Sequence, residues 1–138
     1  MATKDEIQAF FAAEFPQTKC RVLEITSLGS VVKFEIDSTH LRPGETVAGP
    51  VIMAVGDVAL YAAILGEIGI VPLAVTTSMT INFLRKPAAN KNLIGVCTLL
   101  KLGKSLAIGE VFVYSEGTNE PVAHVVGTYS IPPKASAG

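Results

Sequence analysis

Residues 49–70 read GPVIMAVGDVALYAAILGEIGI, an apolar run in which only Asp57 and Glu67 carry charge. The spacing predicts one long helix. Gly49 suits the N-cap, and Pro50 suits the first helical position, where a missing N–H costs nothing. Gly69 and Pro72 supply the stop. The run is as apolar as a membrane span, but Gly56, Asp57, Gly66 and Glu67 interrupt it and no basic flank orients it. A helix apolar on nearly every face is expected inside a domain, wrapped by other elements. Asp57 is then the costly residue, because a carboxylate in such a helix needs either a solvating partner or a chemical task.

The rest of the chain can provide the wrapping. At 138 residues and 49% hydrophobic content it is long enough for one domain with a real core, expected over residues 1–134, with 135–138 as a frayed small-residue tail. A formal net charge of -1 and the lack of any run of like charges give no electrostatic footprint for nucleic acid or an anionic membrane. The N-terminus lacks the basic start and unbroken apolar core of a signal peptide. Cys20 and Cys97 are too few for a disulfide framework and read as buried small hydrophobes, so a cytoplasmic location is expected.

Before the long helix, Thr3 and Glu6 form a capping-box pair ahead of Ile7, Phe10, Phe11 and Phe15, which recur at helical spacing. Val32, Phe34 and Ile36 alternate with charged residues, as in a strand with one wet face, and a strand over 21–27 is expected to pair with it across Leu28-Gly29-Ser30. Residues 40–49 read as a loop. After Pro72, strands are expected over 76–84, 93–102, 106–114 and 122–131. The resulting fold class is α+β: one antiparallel sheet curled around a central α-helix. Such a sheet has free edges, which favour pairing with a second copy.

Three segments carry a resemblance to a known family: Gly49-Pro50 through Asp57-Val58-Ala59, then 79–87 (MTINFLRKP), then 102–107 (LGKSLA). In order and spacing they resemble the hotdog-fold acyl-CoA thioesterases of the phenylacetate-pathway, PaaI-like, type over about residues 38–131. In that family a His-Gly-Gly opens the central helix and an acid lies nine positions after the His; this register puts Asp57 at the acid and Ala48 at the His. The chain departs from the pattern at Ala48, at Pro50 in place of the second Gly, and at Arg42 in place of a common Asn. The resemblance implies that the Gly49 N–H polarises the thioester carbonyl. That role needs no side chain.

Asp57 lies eight residues beyond Gly49, about 12 Å along a helix axis, too far for both to meet one acyl carbon. The family arrangement brings them together from two chains, giving a homodimer with two equivalent sites, or a dimer of dimers. Asp57 would act as general base on a water or attack the thioester directly. Thr76 is the candidate partner near the reacting water, with Thr77 and Ser78 as alternatives. Tyr61, one turn beyond Asp57, is expected to shape the acyl pocket. The resemblance puts Arg85, Lys86, Gly103, Lys104 and Ser105 near the coenzyme's pantetheine channel and phosphates, and Arg42 would bind a substrate carboxylate or pair with Asp57. Coenzyme A is expected only as part of the substrate; no metal or redox cofactor is expected. His124 reads as a satisfied structural residue, whereas His40, in the loop before the helix, is a candidate to reach the place vacated at Ala48.

The reading is an acyl-CoA thioesterase. The aliphatic walls expected from Met53, Val55, Leu60 and Ile64 favour a medium-chain or aromatic acyl group. The alternative is a non-enzymatic hotdog module that binds acyl-CoA or a partner, and a dehydratase on the same fold fits less well without the helix-entrance His.

Overall fold

In the computed structural model the described residues are 1–16 and 18–133, so the expected tail at 135–138 lies outside them. Helix α1 (Lys4–Glu14) starts at the expected capping box, with the Glu6 N–H donating to Thr3 Oγ1 and the Thr3 N–H to Glu6 Oε1. Strands β1 (Cys20–Thr26) and β2 (Gly29–Phe34) form a hairpin. A 3-10 turn at Ser38–His40 leads to the two-residue strands β3 (Leu41–Arg42) and β4 (Thr46–Val47). The long helix α2 (Gly49–Ile68) follows, and then β5 (Val75–Phe83), β6 (Leu93–Leu102), β7 (Leu106–Ser115) and β8 (Pro121–Ser130).

Six strands make one antiparallel sheet in the order β1-β2-β6-β7-β8-β5, and α2 packs across it. This is the α+β architecture that the patterning predicts. Most strand ends fall within a residue of the expected ones, and the expected loop over 40–49 carries the short pair β3 and β4; two boundaries differ in a way that matters. The second strand begins at Gly29 and stops at Phe34, which pairs with Leu93, the first residue of β6; residues 35–37 have no strand left to pair with, and the Ile36 N–H bonds to Asn92 Oδ1 instead. The cap of α2 is Ala48, so Gly49 and Pro50 are already helical.

The sheet accepts the helix through a hollow lined by glycine. Gly109 and Gly127 are register partners on β7 and β8, and Leu60 of α2 sits over both. A Cβ on Gly109 would come within 2.7 Å of Leu60 Cδ2, and one on Gly127 would collide with Leu60 Cδ1. Gly95 on β6 receives Val55 in the same way. A buried hydrogen bond from Ser30 Oγ to the Ala59 carbonyl, 2.7 Å, ties β2 to the helix. Leu60→Ala should therefore empty this hollow and cost about 2–5 kcal/mol. Urea unfolding would show it as a lower midpoint with an unchanged slope.

The wrapping is incomplete on one side. Pro50, Met53, Ala54 and Asp57 recur at helical spacing along a face of α2 that the sheet leaves uncovered, with Met53 42% exposed. Beside this stripe runs the edge strand β5, where Phe83 is 55% exposed. The helix is long and apolar enough to cross a membrane, yet most of it is buried within this domain.

Candidate active site

Asp57 is half-buried and accepts two hydrogen bonds on one oxygen. Thr76 Oγ1 donates to Oδ1 at 2.6 Å, and the Tyr129 hydroxyl reaches Oδ1 at 2.7 Å and the Asp57 backbone carbonyl at 3.2 Å. Thr76 and Tyr129 are cross-strand partners on β5 and β8, so the pleat presents both to the same face. Oδ2 has no hydrogen-bond partner among the described residues. A bulge between Thr76 and Ser78 decides which hydroxyl meets the acid. It turns Thr77 away, and Thr77 Oγ1 donates to the Thr128 carbonyl at 3.3 Å. Thr77 and Ser78 are thus not the partners of Asp57.

Nothing in the sequence pattern singles out Tyr129. Its aromatic side chain on an alternating strand signals only a core position. It is 3% exposed, and burial, with the adjacent Asp57 charge second, pushes the phenol far above its ordinary pKa. It therefore keeps its proton and acts as a donor.

Around this carboxylate opens a cavity of about 440 Å³, walled by Phe11, Phe15, Val58, Tyr61, Ala74 and Tyr129. Tyr61 is the hub of the wall. Its ring stacks on Tyr129 at 5.6 Å and on Phe11 at 5.8 Å, and its hydroxyl donates to the Val71 carbonyl at 3.0 Å. The aliphatic walls expected from Val55, Leu60 and Ile64 are not here, because those side chains fill the core. Met53 does not line the cavity either; it lies on the uncovered stripe. Aromatic rings replace them.

Gly49 opens onto a different cleft, also about 440 Å³, with Arg42, Phe83, Arg85 and Lys86. The two cavities share no lining residue, so the start of α2 and Asp57 do not face one space within one chain. Ala48 offers no side-chain cap, which leaves the first N–H groups of α2 without a capping side chain. Arg85 bonds to the Pro121 carbonyl and pairs with Glu120 at 3.5 Å. Arg42 does not pair with Asp57 in the chain, and it forms no ion pair among the described residues. Gly103, Lys104 and Ser105 border a third cavity of about 960 Å³ with Ile70 and Leu73. The cationic groups expected along one coenzyme channel therefore lie in two separate places on one chain.

The two histidines are held structurally and the two cysteines are buried. His40 Nδ1 accepts the Asp37 N–H at 2.9 Å and the ring packs on Phe34, so only its carbonyl, which accepts the Ala48 N–H, reaches the start of α2. His124 Nε2 lies 2.9 Å from Glu110 Oε1. Burial pushes the Cys20 and Cys97 thiols up to about 12, which leaves them poor nucleophiles. Among the described residues no group of three His, Cys, Asp or Glu side chains is arranged to hold a metal ion.

A six-stranded antiparallel sheet around one central helix, with an acid on that helix, defines a hotdog-fold protein of the PaaI-like type. The family model of the thioesterase superfamily matches residues 44–122, and the chain belongs to that superfamily. Among solved structures, a presumed thioesterase from a Silicibacter species is 40% identical, with 95% of this chain and 92% of that chain covered at a TM-score of 0.87. A point mutant of the phenylacetic acid degradation protein PaaI from Thermus thermophilus is 25% identical, with 90% and 99% covered at a TM-score of 0.73. Zebrafish thioesterase superfamily member 2, at 20% identity, 96% and 100% coverage and a TM-score of 0.83, shares the fold. No curated protein matches the chain at a significant level.

Proposed function

We propose that this protein hydrolyses acyl-CoA thioesters, with Asp57 as the acid that activates water or attacks the acyl carbon. The observation that carries this reading is the Asp57 carboxylate, fixed through Oδ1 by Thr76 and Tyr129 at the wall of an aromatic cavity, with Oδ2 left to meet a reactant. On the general-base route, Oδ2 takes a proton from water as its oxygen adds to the thioester carbonyl. The oxyanion that forms is held by the Gly49 N–H at the positive end of α2. Collapse expels the coenzyme thiolate, which recovers the proton from Asp57. On the nucleophilic route Oδ2 itself adds to the carbonyl, the thiolate leaves, and water cleaves the resulting anhydride.

Because Gly49 and Asp57 face separate cavities in one chain, the reading requires a second copy. The uncovered stripe of α2, with Phe83 beside it, is the apolar surface that a homodimer would bury. Arg42, Lys86 and Lys104 are the proposed contacts for coenzyme phosphates or a substrate carboxylate. The aromatic cavity favours a medium-chain or aromatic acyl group over a small polar one. A second reading, an acyl-CoA-binding module without turnover, is favoured by Ala48 and Arg42 at the start of α2. Thiol release from a panel of acyl-CoAs separates the two: saturable turnover supports hydrolysis, and tight binding without thiol release supports the module.

Tyr129→Phe tests how the carboxylate is held. It removes one hydrogen bond to the carboxylate and leaves the ring stack on Tyr61. A bond of this type is worth about 1.5–3 kcal/mol, so kcat should fall about tenfold to a hundredfold with KM little changed. An unaltered kcat would show that Thr76 alone positions Asp57.

A further inference from the structure

The N-terminal helix α1 is outside the three segments that carry the family resemblance, yet it closes the cavity beside Asp57. Phe11 and Phe15 line that cavity, while Phe10, on the same helix, belongs to the same aromatic cluster without lining it. Every other aromatic contributor to the wall, Tyr61 and Tyr129, is tied down by a hydroxyl hydrogen bond. Phe15 is different. It is the C-cap residue of α1, 37% exposed, and meets Tyr61 edge-on at 6.2 Å between ring centroids. It is thus the side chain of the wall that can be cut back without opening the core, whereas Phe11 is almost fully buried.

We propose that α1 is the element that sets acyl length, with Phe15, the partly exposed ring of the cavity wall, as the specificity-determining residue that limits how much chain the cavity takes. The inference rests on the acyl-CoA reading of the Asp57 site. α1 itself is anchored away from the cavity, by Ile7 in the core and by Gln8, whose Oε1 accepts the Val22 N–H at 2.8 Å. Truncating Phe15 therefore lengthens the cavity without releasing the helix that bears it. An acyl chain long enough to enter the new space buries methylenes that the native wall excludes, each worth about fourfold in binding.

The test is a chain-length profile on saturated acyl-CoAs from C4 to C16, taken for the native protein, Phe15→Ala and Phe10→Ala. It is measured twice, as kcat/KM by thiol release and as the dissociation constant of intact acyl-CoA on the Asp57→Asn background. With two or three added methylenes reaching the new space, Phe15→Ala should move the optimum to longer chains and raise the long-to-short ratio by about tenfold or more. Phe10→Ala should leave the ratio within about twofold, since it removes an equal ring from the same helix but not from the wall. An unmoved profile in Phe15→Ala, or an equal movement in Phe10→Ala, overturns the proposal. If the native protein releases no thiol while the binding profile still shifts, the hydrolase reading falls and the role of Phe15 stands. If thiol is released but no profile shifts, the reverse holds.

Discussion

Asp57→Asn should remove thiol release by roughly 10²–10⁴-fold while leaving the fold intact. The amide keeps an oxygen in place of Oδ1, so Thr76 and Tyr129 still have an acceptor and no buried donor is orphaned. What the variant loses is the basic, nucleophilic second oxygen. Circular dichroism and the urea midpoint should match the native protein within about 1 kcal/mol, because the substitution keeps size and hydrogen bonds. Activity that survives at more than a tenth of the native rate would remove Asp57 from the chemistry. A single turnover in ¹⁸O-labelled water then tests the nucleophilic route in the native protein: label left in Asp57 shows an anhydride opened at the protein carbon, whereas a general base, or an anhydride opened at the acyl carbon, sends label only into the released acid.

The helix of residues 49–68 was legible because its signals are local: Pro50 near its start, Gly69 after its end, and an apolar run between. The position of the acid on it was legible for the same reason. Its partners were not equally so. Thr76 could not be separated from Thr77 and Ser78, because a bulge shifts the strand by one residue and a one-residue shift reverses every side chain. Tyr129 lies 72 residues from Asp57, and only the pairing of β5 with β8 brings it to the carboxylate. The aromatic wall failed to show for a related reason. Val55, Leu60 and Ile64 read as aliphatic walls of the site, but Gly95 receives Val55, Gly109 and Gly127 receive Leu60, and Ile64 is fully buried, while α1 supplies part of the cavity wall from elsewhere in the chain.

A complementation experiment carries the second large effect. If the Asp57 of one chain works with the Gly49 N–H of the other, two inactive variants should restore one another. Gly49→Pro deletes that N–H at a helical position where proline is tolerated, and Ala48 already has the extended backbone that precedes proline, φ -65 and ψ 143. An added carbon at Gly49 would meet the edge of the Phe83 ring at 3.3 Å, a contact that a partly exposed side chain can relax. Each homodimer, all Gly49→Pro or all Asp57→Asn, has two broken sites. In a mixed dimer one site collects both defects and the other collects neither. Random exchange makes half of the dimers mixed, so activity should rise from near zero to about a quarter of native on mixing. Met53→Glu in either chain should abolish the recovery, because it places a charge in the stripe where α2 would meet its copy. No recovery from a mixture shown to contain mixed dimers would place Gly49 and Asp57 in one chain's site, against the two separate cavities that they face.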